Sequence, residues 1–143
     1  HELFEPDLIF CHLKVKDKKS LLSMLCNKLV DKGYVTKKYF KTVMERENMT
    51  PTSIGNGVAI PHGDTQEVNT AKIVIATLDK PILWDSKYVD VVFLLVVKFS
   101  TDFEIRRTQQ FYKQYIKLVD GDEQVSILRG FTSNIDFYRF LIQ

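Results

Sequence analysis

The feature that most constrains the fold is the apolar run at residues 89–97, which is interrupted only by Asp90. This run is rich in β-branched and aromatic residues, which favour strands. It is the longest apolar run of the chain, yet it is much shorter than the roughly 20 residues that a membrane-spanning helix needs. We therefore predict a buried strand over residues 89–99 and no insertion into a membrane.

Further strands are predicted from alternating or β-branched patterns. They cover residues 8–15, a hairpin at residues 52–60, and residues 72–78. The hairpin is placed by Asn56 and Gly57, because an Asn-Gly pair is a strong hairpin signal. We expect a turn at residues 79–81, around Pro81, followed by a short separate run at residues 82–84.

Helices are predicted where apolar residues recur at helical spacing behind a capping residue. The predicted helices begin at Asp17, Thr36, Thr101, Asp120 and Asn134. The first ends at Gly33, and the fourth ends near Gly130. The second is stopped before Pro51, because a residue that precedes proline avoids helical angles. Strands and helices are thus interspersed, which predicts an α/β fold with helices packed on a central sheet.

The length of 143 residues fits one domain, taken here as residues 1–143. Because the chain begins at His1 and not at methionine, we expect it to be a piece of a longer polypeptide. The net charge of +2 is too small to indicate direct nucleic-acid binding.

Cysteine and histidine usage argues against a metal centre. Cys11 and Cys26 have no paired spacing, and we expect buried, reduced thiols of a cytoplasmic protein. The chain has three histidines and two cysteines without the spacing of metal ligands. The sequence therefore predicts neither a metal nor a cofactor.

His62 is the residue with the clearest chemical potential. It lies between Pro61 and Gly63, at the end of the segment GNGVAIPHG. A neutral imidazole is a nucleophile near neutral pH, and this setting presents one ring nitrogen to a partner. Taken alone, a histidine after proline is more often structural. Arg46, in the predicted last turn of the second helix, is by itself more often a solvated residue.

The segment GNGVAIPHG together with Arg46 resembles the phosphorylation-site segment of mannitol/fructose-type enzyme IIA domains of the bacterial sugar phosphotransferase system. Residues 3–9 and 80–84 resemble one subset more closely. That subset is the enzyme IIA-like domain at the C-terminal end of sugar-responsive transcriptional regulators and antiterminators. The resemblance implies a mixed β-sheet sandwiched between helices.

The resemblance also implies roles for individual residues. His62 would accept a phosphoryl group on Nε2, with its Nδ1–H oriented by a backbone carbonyl or a neighbouring side chain. Arg46 would grip two phosphoryl oxygens with its guanidinium. Gly63 would let backbone amides approach, and Asp64 would either orient the ring or cap a turn.

The chain departs from transport-type members of that family at one point. Those domains carry a second histidine at the start of the helix after the last long strand. Here residues 104–110 contain none, and Thr108 or Gln109 falls at about the matching place. Either side chain can hydrogen-bond a phosphoryl oxygen, but neither supplies an imidazolium charge. We therefore expect slow onward transfer and a regulatory role rather than that of a turnover catalyst.

The partners implied are the histidine phosphocarrier protein as phosphoryl donor and the other domains of a sugar-operon regulator. An enzyme IIB protein or domain is a further candidate. Two alternatives stay open from the sequence. One is a transport-type enzyme IIA that passes phosphate to a sugar-specific enzyme IIB, and the other is an interaction module that is never phosphorylated.

Overall fold

The fold is taken from a computed structural model that describes residues 3–98, 106, 109 and 117–143. Its strands are β1 (Ile9–Leu13), β2 (Ser53–Gly55), β3 (Val58–Ala59), β4 (Lys72–Trp84) and β5 (Lys87–Val96). Its α-helices with defined bounds are α1 (Lys18–Asp31), α2 (Tyr39–Met49), α3 (Asp122–Arg129) and α4 (Asn134–Leu141). Short 3-10 helices cover Pro6–Leu8 and Thr65–Glu67.

The strands form one mixed sheet in the order β1-β4-β5-β3-β2. The pairs β1–β4 and β3–β5 are parallel, whereas β4–β5 and β2–β3 are antiparallel. The predicted apolar run forms most of β5, in which residues 91–96 are all at most 4% exposed. The prediction of a buried strand is therefore confirmed, although β5 begins at Lys87 and ends at Val96 rather than spanning residues 89–99.

Each face of the sheet is covered by helices. On one face, Leu21, Leu25 and Tyr39 of α1 and α2 share a core with even-numbered sheet residues such as Leu94. On the other face, Val125, Leu128 and Phe137 of α3 and α4 share a second core with Phe93 and its neighbours. Each fully buried large side chain contributes about 1.5–3 kcal/mol. The predicted α/β architecture, a mixed sheet between helical layers, is confirmed.

The strand β4 is longer than predicted, and the turn expected at residues 79–81 is wrong. The register of β4 against β5 shifts between Thr77 and Ile82. Extra residues are therefore accommodated as an irregularity inside one strand. Pro81 lies in this stretch, where the missing N–H breaks no regular ladder. The chain reverses instead after Trp84, where Asp85 has a φ of 61°.

Local signals placed α1 and the β2–β3 hairpin correctly. The Asp17 side chain accepts a hydrogen bond from the Ser20 amide at 2.8 Å and caps α1. Asn56 and Gly57 have φ values of 56° and 77°, as a two-residue hairpin turn requires. A Cβ on Gly57 would also lie 2.6 Å from an Nη atom of Arg129.

The capping residues predicted for the later helices need correction. The helix α2 begins at Tyr39, because Thr36 closes a preceding turn by accepting the Tyr39 amide on its carbonyl at 3.1 Å. The helix α3 starts after Gly121 without a side-chain cap, so Asp120 is not its cap.

Ser133, and not Asn134, caps α4, since its hydroxyl accepts from the Asp136 amide at 3.3 Å. The Asn134 side chain donates instead to the Pro6 carbonyl at 2.9 Å. The predicted helix from Thr101 begins outside the described residues, although Arg106 and Gln109 have helical backbone.

Cys11 and Cys26 are both free, but only Cys26 is buried and Cys11 is half-buried. Burial raises the pKa of the Cys26 thiol to about 12, so it stays protonated near neutral pH. Within the described ranges, none of the helices has the length and apolarity required to traverse a bilayer.

Candidate functional site

His62 lies just beyond β3, where the chain continues alongside β5. It forms an isolated parallel bridge with Leu95, and the Leu95 amide donates to the Pro61 carbonyl at 3.0 Å. The His62 residue is half-buried. The sheet therefore fixes the backbone under the ring, while the ring stays within reach of a partner.

The two ring nitrogens of His62 have different partners. Nδ1 lies 3.2 Å from the carbonyl oxygen of Ile60, and Nε2 lies 3.1 Å from Nε of Arg46. A carbonyl oxygen only accepts, and a guanidinium only donates. Both contacts are therefore satisfied together by a neutral ring with its proton on Nδ1 and its lone pair on Nε2.

Arg46 occupies the last turn of α2 and is exposed. Its Nε–H points at the lone pair of His62 Nε2. A guanidinium remains charged at every physiological pH and presents several donors in one plane. The structure thus brings the two predicted site residues together, and it places a permanent positive charge beside the lone pair of His62 Nε2.

One face of α2 holds the loop that follows His62. Tyr39, Thr42, Val43 and Arg46 recur at the spacing of a single helix face. The Tyr39 hydroxyl donates to the Leu95 carbonyl and accepts from the Gly63 amide, both at 3.3 Å. Burial raises the pKa of Tyr39, so the phenol keeps the proton that it donates.

Gly63 allows this close approach of helix and loop. A Cβ at this position would lie 2.5 Å from Oγ1 of Thr42 and 2.9 Å from side-chain atoms of Tyr39 and Val43. The Gly63 amide is directed at Tyr39, so its predicted role in contacting a phosphoryl group stays a prediction.

Of the two roles considered for Asp64, the structure shows turn capping. Its carboxylate accepts from the Gln66 amide at 2.9 Å at the start of the 3-10 helix Thr65–Glu67. Its own amide donates to Oγ1 of Thr42 at 2.9 Å. The ring of His62 is oriented by the Ile60 carbonyl instead.

Glu47, next to Arg46, is a residue that the sequence reasoning missed. It is 2% exposed, and its carboxylate accepts from Trp84 Nε1 at 2.9 Å. It also accepts from the Thr52 hydroxyl and lies 3.6 Å from Nζ of Lys18. The signal in the sequence was the position of Glu47, because it follows Tyr39 and Val43 at intervals of four residues and so continues their apolar stripe.

Thr108 lies outside the described residues. Gln109 is helical and exposed. Their roles as phosphoryl contacts in place of a second histidine stay predictions.

Comparison with known proteins gives one family. The family model described as phosphoenolpyruvate-dependent sugar phosphotransferase system, EIIA 2, matches residues 2–143. The chain is 32% identical over 136 residues to the transcriptional regulator ManR of Bacillus subtilis strain 168, and this match covers 95% of this chain and 20% of ManR. It is 35% identical over 95 residues to the mannitol-specific phosphotransferase enzyme IIA component of Staphylococcus aureus, and this match covers 64% of this chain and 65% of that protein. The chain thus spans about a fifth of ManR.

Among solved structures, the fold is similar to that of a chain in the complex of mannitol enzyme IIA with phosphorylated mannitol enzyme IIB from Escherichia coli. The TM-score is 0.79 at 20% identity, and the match covers 97% of this chain and 96% of that chain. At this level of identity, the similarity concerns the fold.

Proposed function

Because the chain belongs to the EIIA 2 family of the phosphoenolpyruvate-dependent sugar phosphotransferase system, we propose that His62 accepts a phosphoryl group from the histidine phosphocarrier protein. The family expected from the segment around His62 is confirmed by that match. The observation that carries the proposal is the paired contact of the ring, with Nδ1 on the Ile60 carbonyl and Nε2 on Arg46.

The reaction follows from this geometry. The Nε2 lone pair attacks the phosphorus of the donor phosphohistidine, a nitrogen–phosphorus bond forms on His62, and the donor's nitrogen–phosphorus bond breaks. The bonding electron pair returns to the donor imidazole. The His62 proton stays on Nδ1, held by Ile60. Arg46 releases Nε2 and pairs with the phosphoryl oxygens, where charge is concentrated during transfer.

We propose a regulatory use of this phosphohistidine, within a longer cytoplasmic protein that controls transcription of a sugar operon. Support comes from the similarity to ManR over 95% of this chain and from the absence of any histidine after His62 in the sequence. A regulator needs a persistent mark rather than rapid turnover. The added charge of about −1.5 to −2 would change contacts with the parent protein's other domains. DNA or RNA would be bound by those other domains.

A second candidate function is transport-type phosphocarrier activity toward an enzyme IIB protein. It is favoured by the 35% identity to the mannitol-specific enzyme IIA component. A transfer assay separates the two functions. Rapid loss of phosphate from His62 to a cognate enzyme IIB indicates a transport component, and retention of the phosphate indicates a regulator.

Phosphorylation itself is tested by incubation with the general phosphotransferase enzymes and labelled phosphoenolpyruvate. We expect the wild type to be labelled and His62→Ala to remain unlabelled. His12→Asn is the matched control, because asparagine tolerates the positive φ of 56° at that position. It should be labelled like the wild type. An unlabelled wild type, or equal labelling of His62→Ala, contradicts the proposal.

A further inference from the structure

We infer that Glu47 is a positioning residue for the reaction of His62, although it touches neither His62 nor any group bound there. This inference rests on the proposed function. Glu47 is a buried carboxylate in the turn of α2 that carries Arg46. The Glu47 side chain is 0% exposed, and burying a carboxylate is costly unless hydrogen bonds and charges compensate it.

The partners of Glu47 come from three separate parts of the chain. Trp84 Nε1 at the end of β4 donates at 2.9 Å, and Lys18 at the start of α1 lies 3.6 Å away. Thr52 donates through both its amide, at 3.4 Å, and its hydroxyl. Glu47 therefore joins the end of α2 to the sheet, to α1 and to the segment that leads into β2.

These contacts form a closed chain of interactions around the site. Glu47 holds Thr52, and the Thr52 carbonyl accepts from the Ile60 amide at 3.1 Å. The Ile60 carbonyl accepts from His62 Nδ1, and His62 Nε2 accepts from Arg46 Nε. Arg46 is joined to Glu47 by a peptide bond. Glu47 is the buried carboxylate of this chain of contacts, and its hydrogen bonds with Thr52 hold the segment before β2 against the end of α2.

The consequence of this closed chain of interactions is that His62 has a single neutral tautomer. If Thr52 and the end of α2 move relative to each other, the positions of the Ile60 carbonyl and of Arg46 around the imidazole change, and the two hydrogen bonds that select one tautomer weaken. The ring would then populate both neutral tautomers, and Nε2 would carry a proton for part of the time. A protonated Nε2 cannot accept a phosphoryl group. A displacement of this kind lowers the rate of the chemical step more than the affinity for the donor.

The test combines a spectroscopic and a kinetic readout in the full chain. In the wild type, ring nitrogen NMR with labelled histidine should show His62 as a single tautomer with the proton on Nδ1, at a pH where the ring is neutral. In Glu47→Gln we expect a mixture of tautomers. We also expect a fall of up to about 100-fold in the phosphorylation rate at saturating phosphocarrier protein, with little change in the half-saturating concentration.

A pair of substitutions at Thr52 keeps the test decisive if Glu47→Gln does not fold. Thr52→Val removes the hydroxyl at nearly constant shape, and it should shift the His62 spectrum in the same direction. Thr52→Ser restores the hydroxyl and should restore the single tautomer. Leu128→Ala, in the core on the opposite face of the sheet, controls for general destabilisation and should leave both readouts unchanged.

The inference would be overturned if Glu47→Gln or Thr52→Val kept the tautomer and the phosphorylation rate of the wild type. It would also be overturned if Leu128→Ala changed the tautomer and the rate as much as these variants do. If the wild type takes up no phosphate, the proposed function fails. The tautomer spectra then still decide whether Glu47 fixes the ring of His62.

Discussion

The Arg46 guanidinium donates a hydrogen bond to the His62 lone pair that the proposed reaction uses, with Nε of Arg46 3.1 Å from Nε2. This contact excludes the wrong tautomer before reaction, because a protonated Nε2 would face a donor. The guanidinium must move by the width of a phosphoryl group when the donor arrives. As an exposed side chain, it has the freedom to do so. In the proposed reaction, Arg46 thus first orients the His62 ring and then pairs with the charge of the incoming phosphoryl group.

Replacing Arg46 tests this double role. We expect Arg46→Ala to slow phosphorylation of His62 by about 100-fold, the effect typical of removing one donor to a developing charge. Arg46→Lys should be intermediate, because lysine keeps the charge and lacks the planar fork. The free energy of unfolding should change by less than about 0.5 kcal/mol, since the residue is exposed. A time course of labelling gives the rates, and a wild-type rate for Arg46→Ala would refute the role.

The helix α2 is the element that organises the site, because it contributes Tyr39, Thr42, Val43 and Arg46 from one face and packs directly on Gly63. This packing needs a residue without a side chain at position 63. The loop after His62 is consequently held by helix contacts and hydrogen bonds together.

We expect Gly63→Ala to destabilise the protein by about 1–3 kcal/mol, the usual cost of overpacking. A Cβ there would lie 2.5 Å from Thr42 Oγ1. Gly130→Ala is the matched control, because its Cβ would meet nothing closer than 3.4 Å and its φ is −76°. Urea unfolding measures both variants. Similar losses of stability would show that the contact at Gly63 has no special cost.

The sequence predicted those elements whose signals are local. The Asp17 cap and the Asn56-Gly57 turn depend on neighbouring residues alone. The continuity of β4 past Pro81 could not be predicted, because it depends on pairing with β5 and on a register shift that no short segment encodes.

The same distinction holds for the site. His62 and Arg46 could be identified from a characteristic segment and its spacing. The contacts of the Tyr39 hydroxyl and of the Glu47 carboxylate could not be predicted, since their partners Leu95 and Trp84 are distant in sequence. The residues proposed to bear the chemistry were visible in the sequence, whereas the contacts that hold them in place became visible only in three dimensions.

The contacts of Glu5 attach the N-terminal segment to the rest of the molecule. Its carboxylate pairs with Lys72 at 2.8 Å and with Lys32 at 3.4 Å, and it accepts from the Tyr34 hydroxyl. Burial opposes ionisation of Glu5, but the hydrogen bonds from Lys72 and Tyr34 outweigh it and hold the pKa of Glu5 below its ordinary value. The N-terminal segment is thereby tied to β4 and to the residues after α1.

This lowered pKa predicts a pH dependence of stability. The contribution of Glu5 is fully present above its unfolded pKa, near 4.5, and it is lost as the pH falls through the lower folded value. Glu5→Gln should therefore be less stable than the wild type at pH 7, and the difference should shrink in acid. Urea unfolding across this range measures it, with the exposed Glu45→Gln as a control for losing a surface charge. A difference independent of pH would exclude the proposed ion pairing.

In the proposed reaction, Nε2 of His62 is the atom that receives the phosphoryl group. The most direct measurement is nitrogen–phosphorus coupling in the phosphorylated protein labelled with nitrogen-15 in its histidine rings. We predict one coupled ring nitrogen, Nε2 of His62, with its Nδ1–H still bonded to the Ile60 carbonyl. Coupling to Nδ1, or to a ring nitrogen of another histidine, would refute the assignment of Nε2 as the phosphoryl acceptor.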